Sequence, residues 1–190
     1  MSKTVTLPSI RTTLGGLVAG IVSFILGFAI TYLWRGDDIE QSLGPIQFLL
    51  ELFQAEPIET WHVVGWMYYS AHFVDTRITA QFGPGETTFY VDLVREGSGN
   101  LELLYLVPVA LLLLAGLALA IDAASTSFAD GAVAGATVTV GYLLAVLIGL
   151  VLFAYNGIRP DPVPAVLVAG VLYPLVFGAI GGAIGSQLTE

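Results

Sequence analysis

The amino-acid sequence predicts an all-α membrane protein. It reads as four transmembrane helices with an extramembrane insertion that holds one or two amphipathic or re-entrant helices and a candidate β-hairpin. Of its 190 residues, 56% are hydrophobic and only 11% are charged, whereas soluble domains carry roughly 25% charged residues. The apolar residues gather in runs of about 20, the length that crosses a hydrocarbon core of about 30 Å at about 1.5 Å per residue. These runs divide the chain into a tail (1–13), a first span (14–34), an acidic insertion (35–101) and a second span (102–122). A short loop (123–132), a third span (133–155), a second loop (156–162), a fourth span (163–186) and a tail (187–190) follow.

The first span follows Lys3 and Arg11. Its apolar run exceeds the roughly 7–15 residues of a signal-peptide core, and the bulky Tyr32-Leu33-Trp34-Arg35 offers no small-residue cleavage site, so it reads as a retained anchor. Tyr32 and Trp34 stand where an interfacial aromatic belt would lie. The second span is bounded by Glu102 and Asp122, with Pro108 early enough to cost little. Pro162 and Pro164 open the fourth. Pro174 in its middle is expected to kink the helix and free a carbonyl.

Residues 36–100 carry ten acidic residues against Arg77 and Arg95, a net charge of −8, and are too polar to cross. Gly44-Pro45 opens an amphipathic stretch with Ile46, Leu49, Leu50 and Phe53 on one face. Pro57 opens another, from Ile58 to about His72, apolar nearly all round and too short to span. It reads as an interfacial or re-entrant helix, with Trp61, Trp66, Tyr68 and Tyr69 suited to the headgroup zone. The period then changes to two. Val74, Thr76, Ile78, Ala80 and Phe82, and after Gly83-Pro84-Gly85 also Phe89, Val91 and Leu93, alternate with polar residues, as in a hairpin with one apolar face.

Whole-chain charge is lopsided. Fifteen Asp and Glu face six Lys and Arg, and there is no cysteine. An acidic surface of this kind holds water and cations at high salt, where the Debye length is about 3 Å or less. No disulfide or thiol chemistry is available, and without a basic stripe nucleic acid is excluded as a partner. The segment Trp61-His62-Val63-Val64-Gly65-Trp66-Met67-Tyr68-Tyr69-Ser70-Ala71-His72-Phe73-Val74 resembles the central motif of an uncharacterised family of small multi-pass membrane proteins of halophilic archaea. Some members of that family carry a transporter label without a mechanism. The resemblance extends over the flanking spans. It implies a membrane setting in a salt-loving archaeon and transfers no catalytic or binding residue.

Small residues at helical spacing mark packing faces: Gly16, Gly20, Ser23 and Gly27 in the first span, and Gly170, Gly178, Gly182 and Gly185 in the fourth. Such faces let membrane helices approach closely. Whether they pack within one chain or between copies is open. Leu17-Val18-Ala19-Gly20 recurs as Leu167-Val168-Ala169-Gly170, a match that low-complexity sequence readily produces. Glu59-x-x-His62 and His72-x-x-Asp75 each place a carboxylate one turn from an imidazole, half of a metal set. The plainer reading makes both imidazoles interfacial groups bonded to neighbouring acids. Between Glu102 and Asp122 at the ends of the second span, and throughout the other three, the spans hold no Asp, Glu, Lys, Arg or His, the groups that usually mark coupled transport routes. Their hydroxyls, Ser23, Thr31, Tyr105, Thr137, Thr139, Tyr142 and Tyr173, could line a path but more often bond to their own helix.

No nucleophile is paired with a base, no phosphate loop is present and no metal set is complete. The expectation is therefore a non-enzymatic structural, accessory or partner-binding membrane subunit without a cofactor. The alternative is an uncoupled small-solute transporter or channel. Either one contacts the lipid bilayer and a membrane-protein partner or its own copies. By the positive-inside rule it sits in the cell membrane with a cytoplasmic amino terminus and residues 35–101 outside.

Overall fold

Among the described residues four helices are long and apolar enough to cross a membrane: Ile10–Phe48, Leu101–Asp122, Phe128–Leu152 and Pro162–Leu188. The structure, a computed structural model, describes residues 8–52, 56–82, 85–97 and 100–188.

The first of them lies within α1 (Ile10–Leu52), which does not stop near Trp34. It runs on through the polar stretch from Arg35, and Gly44-Pro45 lies inside it instead of opening a new helix. The reason is burial. Ile39 and Leu43, four residues apart, pack with Val64, Met67, Ala71, Val94, Leu101 and Leu104 in a second hydrophobic cluster. An Arg35–Asp38 ion pair of 3.0 Å, one turn apart, adds to it. Gln47 donates to the Ile58 carbonyl at 2.5 Å, tying the extension to the following segment. Ile46 and Phe48 remain exposed. The side chains of Leu49 and Leu50, and all of Phe53, lie outside the described residues.

Helix α2 (Thr60–Ser70) follows Pro57. It ends in a Schellman motif, with Val74 N–H on the Tyr69 carbonyl (3.2 Å) and Phe73 N–H on the Ser70 carbonyl (2.9 Å). The position that favours glycine is held by Phe73 at φ 59°, which costs a non-glycine residue about 1–2 kcal/mol. Its ring stacks on Tyr105, with centroids 4.5 Å apart and planes within 9°.

Strands β1 (Thr76–Phe82) and β2 (Gly85–Val91) pair antiparallel, Thr76 with Val91 through Phe82 with Gly85. The Gly83-Pro84 turn lies outside the described residues. A third strand, β3 (Ile158–Pro160), joins the other edge of β1, giving the order β2-β1-β3. It comes from the loop between the last two long helices, turned by Asn156 (φ 40°) and Gly157 (φ 81°). Tyr155 and Ile158 exchange both main-chain hydrogen bonds across this turn, at 2.8 and 2.7 Å. The alternation read from sequence gives the hairpin but not this partner.

A 3₁₀ turn (Leu101–Tyr105) leads into α3 (Leu106–Asp122). Pro108 is its third residue, where no intrahelical N–H is needed. A second Schellman turn, on Ala124 at φ 49°, ends it. Ser127 caps α4 (Phe128–Ala136), accepting from Asp130 N–H at 3.2 Å and donating to its carboxylate at 2.6 Å. After a break at Thr137, α5 (Val138–Leu152) completes the third long helix. Asp161 caps α6 (Pro162–Pro164). An eight-residue π-helical stretch, Ala165–Leu172, intervenes before α7 (Tyr173–Gly185). Pro174 thus falls where the helix returns from the wider π register to the α register. A 3₁₀ turn, Ser186–Leu188, closes the described chain.

The helices meet through glycine. A Cβ on Gly178 would lie 2.6 Å from Val138 Cγ1 and 2.7 Å from the Gly135 carbonyl oxygen, closer than real Cβ atoms come. Gly182 faces Gly131 and Gly135, Gly185 faces Leu117, and Gly170 faces Leu143. In α1, Gly16 faces Thr137, and Gly20 faces the α5 backbone at Val138, Gly141 and Tyr142. Ser23 is buried. These contacts all lie within one chain. Across the bundle, an exposed Arg11–Asp122 pair of 3.0 Å brings the start of α1 beside the end of α3.

Candidate functional site

Polar side chains converge where α2 packs on α1 and reaches α5 through its side chains. Tyr68 and Tyr142 are fully buried and His72 is 1% exposed. Tyr68 lies in the last turn of α2, and His72 lies in the turn that closes the helix, four residues on, where its N–H bonds the Tyr69 carbonyl at 2.9 Å. Tyr142 reaches them from the first half of α5. The Tyr68 and Tyr142 hydroxyls lie 2.8 Å apart, and Tyr142 Oη lies 2.7 Å from His72 Nε2. His72 Nδ1 lies 2.8 Å from the Tyr68 carbonyl oxygen.

The direction of each bond follows. A carbonyl only accepts, so Nδ1 carries the imidazole proton and Nε2 accepts from the Tyr142 hydroxyl. Tyr142 has then used its one proton and must accept from Tyr68. The circuit runs Tyr68 O–H to Tyr142, Tyr142 O–H to His72 Nε2, and His72 Nδ1–H back to the Tyr68 main chain. Burial pushes the imidazole pKa down to about 4 against the opposing backbone bond, so the ring is neutral at pH 7.

Apolar groups close around this circuit. Phe24 of α1 sets its ring edge-on to Tyr68 (5.2 Å) and Tyr142 (5.4 Å). Gly27 clears the space for Tyr68, since a Cβ there would collide with the phenol. Tyr173 places its ring 5.2 Å from His72. Beside the circuit, Tyr69 donates to the Val146 carbonyl at 2.5 Å and Trp66 Nε1 to the Phe153 carbonyl at 2.6 Å. Phe153 follows α5, and its carbonyl is one the helix leaves unpaired.

The aromatic segment, read from sequence as suited to a headgroup zone, turns most of its rings into the chain. Trp66, Tyr68 and Tyr69 are at most 5% exposed; only Trp61 is half-buried. Each polar tip has a partner inside the chain, which removes the reason for such rings to seek headgroups. The histidines also differ from expectation, for neither makes a side-chain hydrogen bond to an acid. His62 stacks on Trp61 at 3.8 Å, and its buried Nδ1 has no hydrogen-bond partner. Glu59, His62, His72 and Asp75 form no shared site. Among the described residues no group of three or more His, Cys, Asp or Glu is placed to hold a metal ion. Outside the bundle, burial and the neighbouring Asp92 and Asp161 raise the Asp75 carboxyl, with Arg95 opposing.

A family model described as a family of unknown function, DUF7978, matches residues 2–189. The chain belongs to this family. No curated protein and no solved structure matches the chain. In this DUF7978 chain the functional reading thus rests on the site itself. The circuit satisfies its polar atoms and ends on a carbonyl, which accepts a proton's hydrogen bond but cannot pass a proton on. Sequence reading ranked Tyr142 only among the hydroxyls. The signal that could have singled it out with its partners was the Tyr68/His72 spacing of four at the end of the aromatic segment.

Proposed function

We propose that the chain is a non-enzymatic integral membrane protein that works as a structural, accessory or partner-binding subunit through its surfaces. Four crossing-competent helices support the membrane setting. The observation that carries the rest is the closure of the interior. Of the seven hydroxyls a polar path would draw on, Thr31, Tyr105, Thr137 and Tyr142 donate to Gly27, Asp92, Ala134 and His72 in the same chain, while Thr139 Oγ1 is buried without a partner. Glycine faces bring helix backbones together where a channel would need separation. The side chains left open are apolar, among them Leu14, Val18, Leu114, Val151 and Leu167, as helices facing lipid or other helices require. The acidic insertion is read as a solvating surface outside the membrane.

The test is mild-detergent extraction from the native membrane, with the mass of the complex and its components measured. Carbonate-resistant membrane association with a reproducible partner is the expected result. Solute or ion flux through vesicles reconstituted with the purified chain alone would favour the uncoupled transporter and overturn this reading.

A further inference from the structure

Cations are scarce in this chain: five arginines and one lysine against fifteen acids. Three of the arginines have acidic partners, Arg11 with Asp122, Arg35 with Asp38 and Arg95 with Asp92. The other two are set side by side. Arg77 of β1 and Arg159 of β3 are direct register partners, so their side chains leave the same face of the sheet at neighbouring positions. Among the described residues neither side chain has an ion pair or a hydrogen bond, and Arg77 Nε is buried without a partner.

Like charges directly opposite destabilise a strand pair, and acids are not lacking nearby. Asp75 and Asp161 lie two residues along, beyond the Thr76–Pro160 pair, joined by an Asp161 N–H bond of 2.9 Å to the Asp75 carbonyl. Their carboxylates do not pair with the guanidinium groups. The sheet thus separates a two-acid row from a two-base row. On the other side of Arg77 its register partner is Tyr90, 57% exposed, a hydroxyl donor in the same row.

We propose that Arg77 and Arg159, flanked by Tyr90, form a binding site for a phosphate-type oxyanion. Two planar forks held on adjacent strands match the several acceptor oxygens of such a group, and its charge relieves their repulsion. Depth in the molecule fits a phospholipid headgroup: Arg159 lies three residues before Pro162, where the fourth long helix begins. That source rests on the membrane reading above. A free phosphate on the same groups does not.

The experiment uses the full chain in detergent with two probes, inorganic phosphate and mixed micelles of phosphatidylglycerol or phosphatidylcholine. Thermal shift reports phosphate and native mass spectrometry counts retained lipid. Wild type is compared with Arg77→Gln/Arg159→Gln and with Arg11→Gln, which removes one charge far from the sheet. The double variant is expected to lose affinity for the anion by about tenfold or more, with Arg11→Gln unchanged. Phosphatidylglycerol retained over phosphatidylcholine only when both arginines are present supports the headgroup. A phosphate response that needs the pair, without lipid preference, supports a free-anion site and leaves the membrane reading untouched. Equal binding by all three forms overturns the site. Arg159→Gln alone, at an exposed position, carries the same comparison if the double variant does not fold.

Discussion

Replacing Tyr142 with Phe removes one oxygen and breaks two hydrogen bonds at once. His72 Nε2 loses its donor and the Tyr68 hydroxyl loses its acceptor, both at positions no more than 1% exposed. Leaving a buried polar group unsatisfied costs about 1–3 kcal/mol, so Tyr142→Phe should cost about 2–5 kcal/mol. Tyr68→Phe behaves differently. Tyr142 keeps its own donation to His72 and loses only an incoming bond, at about 0.5–1.5 kcal/mol. The sharper consequence concerns the pair. In a Tyr142→Phe background Tyr68→Phe removes the stranded hydroxyl, so the second substitution should be neutral or stabilising, a coupling of at least about 0.5 kcal/mol. Denaturant or thermal unfolding in detergent, followed by near-ultraviolet circular dichroism for the four forms, measures the cycle. A chain of this length shifts by about 2–4 °C per kcal/mol. Additive losses, or a Tyr142→Phe no more harmful than Tyr68→Phe, would refute the assigned bond directions.

Glycine substitutions should divide by environment. Gly182→Ala drives a Cβ into the Gly131 and Gly135 backbones and should lower stability by about 1–3 kcal/mol. Gly44→Ala meets nothing within 4 Å beyond its chain neighbours, but Pro45 crowds a Cβ on the helical residue before it, which offsets the gain in helix propensity, so stability should change by less than about 1 kcal/mol; both are read by the same unfolding assay. Burial lowers the His72 pKa to about 4 in the folded chain, from its ordinary 6.5. The stability due to its neutral ring is therefore complete above pH 6.5, is lost as pH falls from there towards 4, and amounts to about 3 kcal/mol. Nitrogen chemical shifts should show a proton on Nδ1 alone at pH 6; titration near 6.5 would contradict the burial. Asp75→Asn should give a small rise in melting temperature at pH 7, since a partly buried carboxylate beside Asp92 and Asp161 is removed.

Long apolar runs were plain in the sequence because the 20-residue length is set by backbone rise alone, and the 74–93 alternation likewise gave the hairpin. Two features escaped for different reasons. The extension of α1 depends on only two apolar residues, Ile39 and Leu43, within a polar run, and their value lies in contacts with residues at least 21 positions away. The third strand is three residues long and carried no period, though Tyr155-Asn156-Gly157-Ile158 held a strong two-residue turn signal. The site was half visible. Residue types in the aromatic motif stood out, but whether a Tyr faces water, lipid or protein is fixed by what lies opposite. For Tyr68 that is Gly27 and Tyr142, one before it and one after it in the chain.

Helix α1 has 43 residues, or about 65 Å of continuous rod, roughly twice the thickness of a bilayer's hydrocarbon core. One end is braced at Gly16 and Gly20 against the third long helix, the other at Ile39 and Leu43 against α2. The same short helix also meets α1 midway, through Tyr68 at Gly27, so both halves of the rod are keyed to α2 and its buried circuit.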